Sequence, residues 1–323
     1  MKPMNMMAAL ALGALCAAPA VAEVKIALDS PADPTGSGTY VWAHAFAEHL
    51  NANGMEAVEY ERGALGEEAE RLDQVSQGLL EVSMSDVKSA GQLANITYGV
   101  YLPYLFENVG QLDEALERGG LLEKINEGTT AQGVRVLAFT ALGLPAGIFN
   151  TKQPVEKIED MSALRMRALD ETQIKLYEAW GSTGTMVSWS EVPNALQTGV
   201  ADGYINPPFV PLMFGHTDFI KHFTDASILP AMRIAIASED WYQGLSDEER
   251  AIVDDAAAKA TEANRTWLQT RTGILEELEA AGVTVTRLSP EAREAFVEAS
   301  MKTYTDGVLS ADEVAVWLAA AGR

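Results

Sequence analysis

The chain has one cysteine, Cys16, and it lies within the first 22 residues. Everything after that point can form no disulfide framework, no thiolate metal site and no cysteine nucleophile. Positive charge is also scarce: 23 Lys and Arg face 46 Asp and Glu, giving a formal charge of −23. Phosphate backbones need clustered cations, so nucleic acid is not an expected partner. An anionic ligand would have to find a local positive group against the field of the whole molecule. Histidine is rare, with four in total, and His44 and His49 are five apart, so they do not share a helical face as an i, i+4 zinc pair does. No G-x-S-x-G elbow, phosphate loop or dinucleotide fingerprint follows a predicted strand, and Gly36-Ser37-Gly38 lacks the third glycine. Acidic pairs such as Asp254-Asp255 fall on predicted helix surfaces, where solvation accounts for them. No metal, no cofactor and no catalytic constellation is expected, and outside the N-terminus no apolar run is long enough to span a bilayer.

What is present begins with Lys2 and an apolar run from Met6 to Ala22 that closes on Ala20-Val21-Ala22. Small residues at those spacings suit a signal peptidase, so residues 1–22 read as a secretory leader cleaved after Ala22. Pro19 and the short length argue against a membrane anchor, and Leu15 before Cys16 argues against lipid attachment. Export across the membrane follows. The remaining chain, about 300 residues, buries roughly three quarters of its unfolded surface and is of a size that divides into two domains. Its overall hydrophobic content of 48% supports such cores.

Strand and helix patterns alternate along this chain. Glu23–Leu28 alternates charged and apolar residues, Asp29–Gly38 is a loop rich in Pro, Gly, Ser and Asp, and Val41, Ala45, Phe46 and Leu50 recur at helical spacing. A second unit follows: a strand near Glu56–Tyr60, the turn Gly63–Gly66, a helix over Glu67–Gln77 and a strand over Leu80–Met84. Gln111–Gln132 reads as one helix stopped by Gly133, and Val134–Phe139 as a strand before a crossover at Leu142–Pro145. The pattern then restarts with strands over Leu164–Ala168, Gly184–Val187 and Ala201–Ile205. Helices over Glu171–Trp180 and Ser190–Gln197 lie between these strands, the second with Ser190 as its expected N-cap. Met232–Ala237 is a further strand, and Ser246 with Glu249 forms a capping box for a helix expected to reach about Ala280. At 1.5 Å per residue that helix would be about 50 Å long, enough to cross two lobes. The expected fold is therefore α/β in two doubly wound lobes.

Three residues stand at predicted strand ends, where open α/β sheets bind ligands. Arg167 ends a strand whose alternate residues Leu164, Met166 and Ala168 are apolar, placing a planar guanidinium at the sheet edge. Such a fork suits a carboxylate held by two bonds, and an internal salt bridge is the equally simple alternative. Asn206 ends a strand before Pro207-Pro208, as a ligand contact or a turn residue. Trp189 lies between a strand and a helix, as core or as pocket wall.

Around these residues the chain resembles the solute-binding proteins of tripartite ATP-independent periplasmic (TRAP) transporters, the DctP family. The resemblance rests on Leu164-Arg165-Met166-Arg167, Trp189 to Val192, Ala195 through Gly203, and Asn206-Pro207, with Gly63–Gly66, Leu102-Pro103 and Pro154–Asp160 as further landmarks. It implies a type II-like two-lobe periplasmic binding protein fold with a hinge and a long helix spanning both lobes. Lobe I would comprise residues 23–145 and 233–275, and lobe II residues 146–232 and 276–323. It also implies that Arg167 holds a ligand carboxylate, with Asn206, Trp189, Asp86, Asp170 and Ser30 around it. The partners implied are the small and large TRAP membrane subunits, with the binding protein a monomer. Relatives often carry Glu where this chain has Ile205, and a second basic residue near the place of Gly147. One firm cationic contact is thus expected, favouring a hydroxy or keto monocarboxylate, or a zwitterion whose positive end meets Asp86. An ABC-type or sensor-associated binding protein, and a periplasmic hydrolase or lyase, are the competing readings.

Overall fold

The structure is a computed structural model that describes residues 23–323. The leader and its cleavage site lie outside the described residues. Among the described residues eleven strands form two sheets: β1 (Val24–Ala27), β2 (Ala57–Tyr60), β3 (Val82–Ser85), β4 (Val134–Ala141), β5 (Gly147–Asn150), β6 (Arg165–Ala168), β7 (Thr183–Met186), β8 (Gly203–Asn206), β9 (His222–Asp225), β10 (Met232–Ser238) and β11 (Thr284–Arg287). The first sheet has the order β2-β1-β3-β10-β4 and the second β11-β9-β5-β8-β6-β7. Each sheet is mixed. In the first, β10 runs antiparallel to β3 and β4, and in the second β5 runs antiparallel to β8 and β9.

Each sheet is covered on both faces, and its central strands are buried along most of their length. The helix Gly38–Ala52 turns Trp42, Phe46 and Leu50 inward at i, i+4 spacing, and these pack with Ile26, Met84 and Val253 on one face of the first sheet. Val75, Leu112, Ile125 and Ile236 fill the other face. The second sheet is covered by Met166, Tyr177, Trp180 and Phe296 on one side and by Phe149, Leu196, Tyr204 and Phe223 on the other.

Two of the chain's passages between the sheets are extended segments that lie side by side. Leu142 N donates to Ala231 O at 2.9 Å, Ala146 N to Leu229 O at 3.0 Å, and Ile228 N to Ala146 O at 2.9 Å. Paired crossings of this kind can bend without unravelling either sheet, which is the mechanical requirement of a hinge.

Several boundaries differ from the sequence reading. The expected helix over Gln111–Gln132 is two helices, Val109–Gly119 and Leu121–Thr129, and the helix expected to reach Ala280 ends at Gln269 before a second one, Ile274–Ala280. Left-handed glycines, Gly120 at φ 57° and Gly273 at φ 86°, make both breaks, because a left-handed residue cannot continue a right-handed helix. The Asp247–Gln269 helix is about 35 Å long at 1.5 Å per residue, and it packs on the first sheet, whereas Ile274 and Leu278 join the core of the second. The span between lobes is thus helix, break, helix. The C-terminal helix Ala311–Ala320, expected in lobe II, belongs to the first sheet's core. Trp317 is fully buried against Phe106 and donates its indole N–H to Ile96 O at 2.8 Å. Ser190 is not an N-cap; a 3-10 turn, Trp189–Glu191, precedes the helix Val192–Thr198. Strands β5 and β9 had no separate expectation.

Candidate functional site

A cavity of about 380 Å³ lies between the two sheets. Its walls are the carboxyl ends of strands from both: Asp29 and Ser30 after β1, Arg62 after β2, Asp86 after β3, Arg167 and Leu169 at β6, Ser188 to Ser190 after β7, and Asn206 at the end of β8. Both halves therefore obey the strand-end rule and face each other across one gap.

The second sheet's wall carries Arg167. The side chain is 4% exposed and its Nε donates to Val187 O at 2.9 Å, which fixes the plane of the guanidinium. Trp189 lies against it, with the guanidinium carbon 5.7 Å from the ring centroid. The ring is held in turn by edge contacts to Tyr204 and Phe214 and by His216. Among the described residues no carboxylate forms an ion pair with Arg167, and its two terminal nitrogens have no hydrogen-bond partner. Burial lowers its proton affinity, and the charges of Tyr177, Asp86 and Asp170 oppose that shift. Asn206 lines the same cavity, and its side-chain amide has no partner among the described residues. An open guanidinium on β6 and an open amide on the neighbouring strand β8 can take a carboxylate and an adjacent hydroxyl or carbonyl.

The first sheet's wall is internally satisfied. Arg233, on β10, forms ion pairs with Asp29, with Glu68 at 2.6 Å and with Asp86 at 3.3 Å. Its Nε faces Asp29 Oδ2 at ion-pair range but out of line for a hydrogen bond. Asp86 is further committed: its Oδ1 accepts from Tyr101 Oη at 2.8 Å and from Lys88 N at 2.9 Å, capping the helix Val87–Gly91. Burial pushes the Asp86 carboxyl up, with Arg233 opposing and Glu68 adding. For Arg233 burial works against the charge, and the carboxylates of Glu68, Asp29 and Asp86 outweigh it and raise its pKa. Arg71 is also buried, with Nε on Ser83 Oγ at 3.0 Å and terminal nitrogens on Gly66 O and Met84 O. Ser30 is 7% exposed and joins a hydroxyl cluster with Ser37 at 2.5 Å and Thr39 at 2.9 Å.

Of the six residues expected around a ligand, Arg167, Asn206, Trp189, Asp86 and Ser30 line this cavity. Asp170 does not. It caps the helix Glu171–Ala179, accepting from Thr172 N at 3.0 Å and Thr172 Oγ1 at 2.5 Å, and the cavity is reached instead by Leu169 and Gln173. The expectation of a single cation also needs correction. Arg62, Arg71, Lys88, Arg167 and Arg233 line the cavity against Asp29, Glu67, Glu68 and Asp86, a local balance of +1 in a chain of −23. A lone arginine inside the apolar run Met232–Ala237 was a legible signal for Arg233; Arg71 looked like any charge on a helix surface. Ile205 is buried and apolar at the cavity wall. At Gly147 a Cβ would lie 2.5 Å from the Phe223 ring, so β5 itself leaves no room for a side chain there. Among the described residues no group of His, Cys, Asp and Glu could hold a metal, and no helix is long and apolar enough to cross a membrane.

Residues 26–309 match the family model for bacterial extracellular solute-binding protein, family 7, DctP. The chain belongs to that family. It is a TRAP-type solute-binding protein. The ectoine-binding periplasmic protein TeaA of Halomonas elongata is 29% identical over 272 residues, covering 80% of this family 7 chain and 77% of TeaA. The C4-dicarboxylate-binding periplasmic protein DctP of Rhodobacter capsulatus is 26% identical over 301 residues, 90% of this chain and 88% of the relative. Among solved structures, a TRAP periplasmic solute-binding protein of Pseudomonas putida F1 with bound D-glucuronate superposes with a TM-score of 0.83 at 23% identity, covering 93% of this chain and 97% of that one. The likeness shows the shared two-lobe fold. The resemblance read from Arg165 to Pro207 is thereby confirmed at the level of family.

Proposed function

We propose that this DctP-family protein, exported to the periplasm by its leader, captures a small hydroxy or keto monocarboxylate in the cavity between its lobes. It then delivers the acid, as a single copy and chemically unchanged, to the small and large membrane subunits of a TRAP transporter. The observation that carries this reading is the buried, unpaired Arg167 guanidinium facing the cavity beneath Trp189. Each charge-assisted hydrogen bond to a carboxylate contributes about 1.5 to 3 kcal/mol, and more as closure of the lobes expels water. Asn206, Gln173 and the Ser30 cluster supply partners for hydroxyl or carbonyl oxygens. A second carboxylate finds no buried, open guanidinium equal to Arg167: Arg233 already serves three acids, Arg71 is bonded to protein oxygens, and of the other two cations at the cavity Arg62 is exposed to water and Lys88 is half-buried. Relatives named for ectoine, C4-dicarboxylates and sialic acid support a small organic acid as ligand and do not select the monocarboxylate class.

The reading is tested by a thermal-shift panel of hydroxy monocarboxylates, keto acids and C4-dicarboxylates. Stabilisation by one or more monocarboxylates, with the bound compound recovered intact afterwards, is expected. Stabilisation by dicarboxylates alone would overturn the ligand class, and conversion of the compound would overturn the binding role.

A further inference from the structure

Arg233 does for the first wall what the positive end of a ligand would do. Its three carboxylate partners come from three separate elements: Asp29 follows β1, Glu68 opens the helix Glu68–Ser76, and Asp86 follows β3. Glu68 also accepts the backbone N–H of Asp86, so the acids form one interlocked group. Three carboxylates this close need a cation among them, since like charges brought out of water repel strongly. That cation belongs to the protein itself, and it is also part of the cavity wall, with its side chain 19% exposed.

A zwitterion held at Arg167 would aim its positive group across the cavity at these same carboxylates. We propose that Arg233 is a specificity-determining residue, an internal cation that occupies the subsite a ligand ammonium or amidinium would take. The protein thereby accepts acids that lack a positive end and excludes zwitterions. This rests on Arg167 gripping the ligand carboxylate, as proposed above. It also replaces the expectation that a zwitterion could meet Asp86, whose oxygens are taken by Arg233, Tyr101 and Lys88 N.

The test uses isothermal titration of the full mature protein with two probes, D-erythronate as an acid without a cation and ectoine as a zwitterion. Wild type is expected to bind the acid and give no heat with ectoine. Arg233→Ala is expected to bind ectoine at least about thirtyfold more tightly than wild type, the scale on which an unpaired buried charge is felt. Glu68→Gln in the Arg233→Ala background should remove that gain. Ectoine binding by wild type, or a folded Arg233→Ala that shows no gain, would overturn the proposal. Should Arg233→Ala fail to fold, wild type alone decides: the acid bound and ectoine refused supports the proposal, and both bound refutes it. Failure of the underlying reading looks different, since Arg167→Ala would then keep the acid's affinity, whereas failure of this inference leaves that dependence in place.

Discussion

The two walls of the cavity treat their arginines in opposite ways. On the first, Arg233 is surrounded by Asp29, Glu68 and Asp86, and the charge is spent within the protein. On the second, Arg167 has one backbone carbonyl and a tryptophan face, and its terminal nitrogens stay open. The difference teaches that burial of a cation does not make it a ligand site; what matters is whether the fold has supplied the counter-charge. A single strand shows the same contrast at closer range. Arg165 and Arg167 are two apart on β6 and so share a face. At the amino end Arg165 donates Nε and Nη2 to Asp202 at 3.1 and 3.0 Å, while Arg167 at the carboxyl end meets the cavity.

The comparison can be broken most severely at Arg167. Arg167→Ala is expected to lose at least about a hundredfold in affinity for the stabilising acid, the scale of a buried charge pair, with an unchanged circular dichroism spectrum. Titration of the purified variant checks it. Asn206→Ala, which removes an open amide on the same wall, should weaken binding about tenfold, one hydrogen bond to a charged or polar group. Asp202→Asn addresses the closed end of β6 and should leave affinity alone while lowering stability by about 1 to 3 kcal/mol. Burial alone would raise the Asp202 carboxyl, but hydrogen bonds from Arg165 and Lys152 hold it at about 2, below its ordinary 3.8. A depressed carboxylate pKa stabilises the fold above the unfolded value and ceases to as pH falls through the folded one. The melting-temperature gap between wild type and Asp202→Asn should therefore be full above about pH 4 and shrink toward pH 2. The smallest effect is expected for Asp170→Ala, about 1 kcal/mol of stability from a lost helix cap and no change in affinity, as measured by denaturant unfolding and titration.

Much of this arrangement could be read from residue order. Alternating strands and helices marked two α/β lobes, and the run from Arg165 to Pro207 fixed Arg167, Trp189 and Asn206 at strand ends. The motif also held residues whose work is structural. Asp202 ties β6 to the segment before β8, and at Gly203 a Cβ would lie 2.0 Å from Phe149 O on the neighbouring strand. Periodicity did not resolve the helix breaks at Gly120 and Gly273, because the apolar pattern continues through them. Nor could it show that Trp317 returns to the first lobe, a pairing with Phe106 and Ile96 across more than two hundred residues. Asp170 and Asp86 looked alike, an aspartate just after a strand and before a helix. What separates them is strand order, which sets β10 beside β3 and so brings Arg233 to Asp86, and packing that leaves Asp170 off the cavity wall.

The most direct measurement is a crystal structure of the protein with the acid that stabilises it. The account predicts the ligand carboxylate between the terminal nitrogens of Arg167, about 2.7 to 2.9 Å away, with Arg233 still bound to its three acids. A carboxylate seated on Arg233 or Arg71, with Arg167 turned to a protein carboxylate, would contradict it.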